Sequence, residues 1–174
     1  MSLLDRVVEA LREARLPFAL IGAAAMASYG VARSTFDQDL LTLGAEALLP
    51  ETWSRLGGAG VAVEIRRGDV FDPLAGVVRF SLTGSRPVDV VVGKLVWQRE
   101  VLERATTSTP GGIPVVRAAD LILLKLYAGG PQDAWDIQQL LAGEDREALI
   151  AEVEKEIPRL TREAADLWKR VISA

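Results

Sequence analysis

The stretch from Gly22 to Leu41 constrains the fold more than any other part of the sequence. It contains a glycine, a run of small residues typical of a tightly packed short helix, and two aspartates, Asp37 and Asp39, that lead into apolar residues. Because alternate side chains of a strand share one face, a strand beginning at Phe36 places both carboxylates side by side. Two like charges that close repel each other unless a cation or a proton lies between them. The stretch therefore predicts a helix and then a strand whose beginning carries an acidic site.

A third aspartate extends this acidic pattern to a second apolar run. Asp89 interrupts the valines of residues 88–92, and an aspartate in such a run is costly to bury unless it is paired or bound to a metal. Oxygen ligands favour hard cations, so Asp37, Asp39 and Asp89 predict a site for Mg²⁺ or Mn²⁺. Two such cations about 3.5–4 Å apart stabilise the attacking and leaving oxygens of a phosphoryl transfer. The alternative for Asp37 and Asp39 is a solvated turn between a helix and a strand.

The composition excludes several other chemistries. The 174 residues include no histidine and no cysteine, which removes disulfides, thiolate metal sites, histidine-ligated zinc and serine–histidine–aspartate triads. The net charge of −4 does not suit a surface that binds nucleic acid as a whole, and leaves only a local basic patch for that role. Residues 1–16 form an amphipathic pattern unlike a signal peptide, and no apolar run reaches the length of a membrane span. We therefore expect a soluble, cytoplasmic protein.

Hydrophobic periodicity divides the chain into two parts. Apolar residues alternate in several short runs before residue 116 and return to helical spacing beyond residue 117. We expect an α/β core over residues 1–116 and a C-terminal helical segment over residues 117–174 that packs on it. The expected strands are 18–21, 36–43, 61–65, 77–82 and 87–92. The expected helices are 3–16, 23–29, 46–56, 95–104, 118–128, 133–142, 145–156 and 161–172.

The order of these motifs resembles a known superfamily. A strand, a Gly-(Gly or Ser) turn, a helix, an Asp-x-Asp strand and a single Asp on a later strand are typical of the nucleotidyltransferase superfamily of the polymerase-beta type. More narrowly, the chain resembles the nucleotidyltransferase-type toxins of bacterial abortive-infection toxin–antitoxin systems. The sequences of these toxins contain an apolar-Gly-Gly motif, followed by Arg-x-Thr-x-Asp-x-Asp-apolar. The matching residues here are Ile21-Gly22-Ala23 and residues 33–40, Arg-Ser-Thr-Phe-Asp-Gln-Asp-Leu.

A second block of the sequence also matches those toxins. It consists of an Asp-Leu helix that leads to a lysine, here residues 119–127, and an Asp-x-x-Asp motif, here residues 133–137. Together with Asp89, the two blocks span residues 20–141. The resemblance implies an α+β nucleotidyltransferase fold, in which a small, mixed, twisted sheet is flanked by helices and followed by the helical segment.

The resemblance also implies roles for individual residues. Asp37 and Asp39 would bind the metals that carry a nucleoside triphosphate. Asp89 would complete one metal site and help to deprotonate the acceptor hydroxyl. The backbone amides of Gly22 and Ala23, at a helix N-terminus, would hold the triphosphate.

Four further residues have two interpretations each, and a fifth, Asp136, has one. Arg33 contacts phosphate or forms a salt bridge with a nearby aspartate, and Lys125 points at phosphate or extends to water. Thr35 supports the site or caps a turn. Asp133 lies near the site or complements the helix dipole, and Asp136 pairs with Lys125 and holds it.

These features lead to one main hypothesis and two alternatives. The main hypothesis is a metal-dependent nucleotidyltransferase that modifies a hydroxyl of an RNA end such as that of tRNA, of a protein or of a small molecule. The toxin resemblance adds a cognate antitoxin as a partner. One alternative is a degenerate, non-catalytic binding or regulatory module, because Ala23 replaces the second Gly or Ser and Gln38 replaces an apolar residue. The other is an aminoglycoside-type nucleotidyltransferase, whose cationic acceptor suits an acidic cleft.

Overall fold

A five-stranded mixed sheet lies at the centre of the computed structural model, which describes residues 1–32, 37–107, 111–143 and 145–173. The strands are β1 (Phe18–Ile21), β2 (Gln38–Thr42), β3 (Ala62–Arg67), β4 (Gly76–Ser81) and β5 (Val88–Val92). Their order in the sheet is β1-β2-β5-β4-β3. Only the central pair, β2 and β5, is parallel, and the other neighbours are antiparallel. The structure confirms the expected α+β class.

The alternating pattern of the strands gives the sheet one apolar face. On β4 and β5, each second side chain is fully buried, including Val78, Phe80, Val88 and Val90. Leu40 of β2 lies beside Val90 on the same face. The opposite face carries the charged residues of these strands, because side chains alternate along a strand. The polar face carries the candidate site.

Eight α-helices also lie within the described residues. They are α1 (Leu3–Glu13), α2 (Gly22–Ser28), α3 (Ser54–Gly58), α4 (Val96–Glu103), α5 (Ala118–Ala128), α6 (Pro131–Leu140), α7 (Arg146–Glu156) and α8 (Arg162–Ile172). Across the described residues, no helix combines the length and the apolar character needed to cross a bilayer.

The continuous helix expected over residues 46–56 is wrong. Two 3₁₀ turns, Ala45–Leu48 and Pro50–Trp53, precede the short α3. Proline disfavours a helical conformation in the residue before it, and Leu49 is extended, with φ −94° and ψ 127°. The broken segment is held instead by the buried Trp53, whose Nε1 donates to the Ala47 carbonyl at 2.7 Å.

The helical segment joins the sheet through residues 113–116. The Leu20 amide donates to the Pro114 carbonyl at 2.7 Å, and the Val116 amide donates to the Leu20 carbonyl at 3.2 Å. This short segment therefore lies along the free edge of β1. The hydroxyl of Tyr29, after α2, donates to the Val116 carbonyl at 2.7 Å. These bonds fix the start of α5 against the part of the sheet that carries the candidate site.

Candidate active site

A row of charged side chains crosses the polar face of the sheet. Asp39 of β2 lies beside Asp89 of β5, Asp89 lies beside Arg79 of β4, and Arg79 lies beside Glu64 of β3. Ile21, the last residue of β1, lies on the other side of Asp39. The two aspartates expected on neighbouring strands are therefore adjacent. One end of this row of charged side chains lies at β1, near Gly22, and the other end lies at β3, where Glu64 is beside Arg79.

Gly22 allows the backbone to approach the Asp39 carboxylate closely. It follows β1 directly, begins α2 and has a φ of +59°, a conformation that favours glycine. A Cβ atom at this position would lie 2.9 Å from the Asp39 Cγ and closer still to its Oδ2. Any larger residue would therefore displace either Asp39 or the start of α2.

Asp37 forms an ion pair with Arg79. The strand β2 begins at Gln38, so Asp37 precedes it rather than belonging to it. Arg79 Nη2 lies 2.5 Å from Asp37 Oδ2, and Arg79 Nε lies 3.7 Å from Asp89 Oδ1. In the described chain, no three histidine, cysteine or acidic residues are arranged to hold a metal ion. Arg79 thus pairs with Asp37 and lies close to Asp89.

The acidic pair is poorly compensated. Burial, and then the negative charges of Asp89 and Asp37, raise the pKa of Asp39 from 3.8 to about 6, against the opposing charges of Lys125 and Arg79. Burial is also the main reason that the pKa of Asp89 is raised. The Asp89 Oδ1 atom is buried and accepts no hydrogen bond from the described residues. Both carboxyls would gain from a bound cation, since a nearby positive charge favours the ionised form.

Lys125 is held by two aspartates, and its charge opposes the rise in the pKa of Asp39. Its side chain is buried on α5, and its Nζ lies 3.2 Å from Asp133 Oδ1 and forms a short ion pair with Asp136. Asp136 is fully buried on α6. Gly129 turns the chain between these helices in the left-handed conformation. Lys125 is therefore fixed where its charge reaches Asp39.

Three solved structures have a similar fold. The solution structure of the antibiotic-resistance factor ANT(2'')-Ia is 13% identical, with a TM-score of 0.58 over 90% of each chain. ANT(2'')-Ia in complex with adenylyl-2''-tobramycin is 16% identical, with a TM-score of 0.57 over 90% of this chain and 96% of that chain. The lincomycin-bound lincosamide antibiotic adenylyltransferase LnuA is 13% identical, with a TM-score of 0.52 over 79% of this chain and 93% of that chain.

The chain has the nucleotidyltransferase fold. This confirms the fold expected from the two sequence blocks. No family model matches the sequence, and neither does any curated protein. At the identities found, the similarity to solved structures establishes the fold alone, and the antibiotics in those names belong to those proteins.

The other expected site residues lie at several places in the nucleotidyltransferase fold. Ala23 lies in the first turn of α2, next to Gly22. Gln38 lies beside Val88, so it faces away from Asp39. Arg33 and Thr35 lie outside the described residues. The structure thus brings together Gly22, Asp39, Asp89, Lys125 and the two aspartates that hold this lysine.

Arg79 was not predicted as a site residue, although the sequence pattern contained a signal. Arg79 interrupts an apolar run, as Asp89 does in the next strand, and antiparallel pairing places the two side by side. Asp120, in the second block, has a different position. It is buried at the start of α5, accepts from Arg104 Nη2 at 2.6 Å and pairs with Arg117 at 3.2 Å. Its partners join α5 to the end of α4, so its contacts are structural.

Proposed function

We propose that the protein is a metal-dependent nucleotidyltransferase that transfers a nucleotidyl group from a nucleoside triphosphate to an acceptor hydroxyl. The observation that carries this proposal is the adjacent pair of Asp39 and Asp89 on parallel strands, next to the close approach of Gly22. A pair of poorly compensated carboxylates at the end of a strand–glycine–helix unit suits a triphosphate with its cations. The nucleotidyltransferase fold supports the same chemistry.

The residues present fit a divalent cation. Asp39 and the orphaned Asp89 Oδ1 supply hard oxygen ligands, and Asp37 becomes a third when it leaves Arg79. A bound Mg²⁺ or Mn²⁺ supplies charge neutralisation for the triphosphate and for the oxygens that develop charge.

The chain's own residues bind and orient the reactants. The amides of Gly22 and Ala23 hold the triphosphate, and the fixed charge of Lys125 adds to their attraction. The acceptor oxygen attacks the α-phosphorus, the bond to the bridging oxygen breaks, and pyrophosphate leaves. Asp89 accepts the hydroxyl proton, a role helped by its raised pKa, because a base works best when its pKa approaches the working pH.

A label-transfer experiment tests this function. The full chain is incubated with Mg²⁺, each radiolabelled nucleoside triphosphate and one acceptor, which is total RNA, a protein mixture or tobramycin. We expect transfer to one acceptor class, and its loss in Asp39→Asn. Asp166→Asn, an exposed aspartate of α8, is the matched control and should retain transfer. No label in any arm, together with no Mg²⁺-dependent thermal shift by triphosphates, would contradict the proposal.

The ion pair between Arg79 and Asp37 favours a second candidate, a non-catalytic binding module. While Asp37 is paired with Arg79, its carboxylate is not available as a ligand for a second cation. This candidate predicts a thermal shift with triphosphate and Mg²⁺ but no transfer to any acceptor.

The toxin role remains a prediction from the sequence motifs. It predicts that expression of the chain arrests bacterial growth, that Asp39→Asn abolishes the arrest, and that a neighbouring gene encodes a protein that relieves it. If neither the natural chain nor Asp39→Asn affects growth, this result would argue against the toxin role and leave the transferase proposal intact.

A further inference from the structure

The two edges of the sheet have different surroundings. At the β1 edge, the backbone of Leu20 bonds to both Pro114 and Val116, so residues 113–116 cover that edge. At the opposite edge, β3 pairs with β4 on one side, and no described residue outside β4 forms a backbone hydrogen bond with residues 62–67. An uncovered edge strand presents a row of N–H and C=O groups with which another strand can pair.

The ladder between β3 and β4 decides which backbone groups of β3 face outwards. The Gly68 amide donates to the Ala75 carbonyl at 2.9 Å, in register with the pairing of the two strands. Because hydrogen-bonded pairs alternate along an antiparallel ladder, the backbones of Glu64 and Arg66 also bond to β4. The N–H and C=O groups that point away from the sheet belong to the alternate residues, Val63, Ile65 and Arg67.

The strand β3 lacks two features that commonly prevent pairing at a sheet edge. Proline and β-bulges interrupt the ladder, and lysine is the charged residue used most often to protect an edge. Residues 62–67, Ala-Val-Glu-Ile-Arg-Arg, contain neither proline nor lysine, and their register with β4 is unbroken. The charges of Glu64 and the two arginines therefore select which strand can pair here.

Glu64 and Arg66 make the β3 edge complementary to itself. Both side chains are more than half exposed, lie on the same face of the strand and form an ion pair within one chain, with Arg66 Nη2 2.8 Å from Glu64 Oε1. When two β3 strands pair antiparallel about a two-fold axis at Ile65, Glu64 of each copy lies opposite Arg66 of the other. An axis shifted by one residue places two glutamates or two arginines opposite each other instead. Like charges in that position are destabilising.

We propose that a second copy of this chain binds at the β3 edge, in the antiparallel register centred on Ile65. Val63, Ile65 and Arg67 of each copy form backbone hydrogen bonds with the same three residues of the other. Glu64 and Arg66 form two cross-strand ion pairs. The two sheets become one continuous sheet, and the charged rows of both copies lie on the same face. The inference does not depend on the proposed transfer function.

Sedimentation equilibrium of the full chain tests the association. One strand from each copy makes a small interface, so we expect a monomer–dimer equilibrium with a dissociation constant of about 1–100 µM. Glu64→Lys and Arg66→Glu should each weaken association at least about tenfold, because two attractive cross-strand pairs become two repulsive ones. Lys169→Glu, which reverses an exposed lysine of α8, is the matched control and should associate as the natural chain does. Because these side chains are exposed, all variants are expected to keep the melting temperature of the natural chain at a concentration where it is monomeric.

A mixture of the two charge variants tests the register. In a heterodimer of Glu64→Lys with Arg66→Glu, the introduced lysine faces the introduced glutamate, and the unchanged Arg66 faces the unchanged Glu64. We therefore expect the mixture to associate with about the affinity of the natural chain, although each variant alone associates weakly. A mixture that associates no better than its components would overturn the inference.

Hydrogen exchange tests the backbone contacts. The amides of Val63, Ile65 and Arg67 should exchange more slowly at a concentration where the natural chain is dimeric, and this slowing should be absent in Arg66→Glu. The amides of Glu64 and Arg66 bond to β4 and should be protected equally at both concentrations. Exchange at Val63, Ile65 and Arg67 that is independent of concentration would overturn the inference.

Two further results would also overturn it. A natural chain that stays monomeric up to about 1 mM would exclude the second copy as the occupant of the edge, and would leave the edge to an extended segment of another protein. Association that neither Glu64→Lys nor Arg66→Glu weakens would place the contact elsewhere on the molecule. Neither result bears on nucleotidyl transfer, which Asp39→Asn tests separately.

Discussion

Two cationic side chains flank the acidic pair, and their surroundings are opposite. Lys125 is buried, and the two aspartates of α6 hold it from one side. Arg79 is 38% exposed and holds Asp37, which is 40% exposed, from the other side. A buried ion pair loses much stability when one partner is removed, whereas an exposed pair contributes little. The ion pairs of Lys125 therefore stabilise the fold. The exposed pair of Arg79 and Asp37 contributes little to stability, so either residue can bind a ligand instead.

The largest expected effect is on the buried side. Asp136→Asn removes the nearest negative charge from Lys125, and we expect it to lower the free energy of unfolding by about 3 kcal/mol. Urea denaturation measures this change. Asp166→Asn, whose pairs are exposed, should change stability by less than about 0.5 kcal/mol. A small effect of Asp136→Asn would show that Asp133 alone suffices for Lys125.

The double change Lys125→Met with Asp136→Leu sharpens the same comparison. It removes both charges at once, so no buried charge is left uncompensated. We expect it to be more stable than Asp136→Asn alone, because apolar replacements of a buried ion pair are often neutral or stabilising. A double variant less stable than the single one would show that the pair contributes more than mutual compensation.

Gly22→Ala should give the next largest effect. The added Cβ atom overlaps the Asp39 carboxylate, and the φ of +59° is strained for alanine. We expect a loss of about 1–3 kcal/mol in the free energy of unfolding, together with loss of nucleotidyl transfer. Gly57→Ala is the control, because its Cβ atom meets nothing within 4 Å. Unchanged stability of Gly22→Ala would mean that Asp39 moves without difficulty.

Asp39→Asn should stabilise the protein at neutral pH in EDTA. The folded-state pKa of Asp39, about 6, lies above its ordinary value of 3.8, so the folded protein binds more protons between these values. Stability therefore falls as pH rises from about 4 to 6, and this part of the fall is absent in Asp39→Asn. At pH 7 we expect the variant to be more stable by about 1–3 kcal/mol, and the difference to vanish below pH 4.

Addition of Mg²⁺ provides the control for Asp39→Asn. A cation that binds only the folded state raises its stability by mass action. The natural chain should gain thermal stability with Mg²⁺, and Asp39→Asn should gain much less. Equal gains would place the cation away from Asp39.

Local patterns in the sequence were enough to predict the five strands and the positions of Asp39 and Asp89 on them. Alternation identified β4 and β5, and Asp89 stood out because it interrupts an apolar run. Proline at position 50 was the reason that one expected helix was wrong. The contact between Arg79 and Asp37 was not predictable, because it depends on the register of β4 against β5 and on β2 beginning one residue after Asp37. Residues far apart in the chain meet only once this register is known.

The smallest expected effect on stability is on the exposed side, at Arg79. Arg79→Gln removes an ion pair that is more than a third exposed, so we expect a change below about 1 kcal/mol in the free energy of unfolding. It should nevertheless raise the affinity for Mg²⁺ several-fold, because Arg79 competes with a cation for Asp37 and repels it. A thermal-shift titration with Mg²⁺ at pH 8 measures this affinity, with Arg55→Gln as the control. Weaker Mg²⁺ binding by Arg79→Gln would instead mean that Arg79 positions Asp37 as a ligand, and that both flanking cations belong to the fixed part of the site.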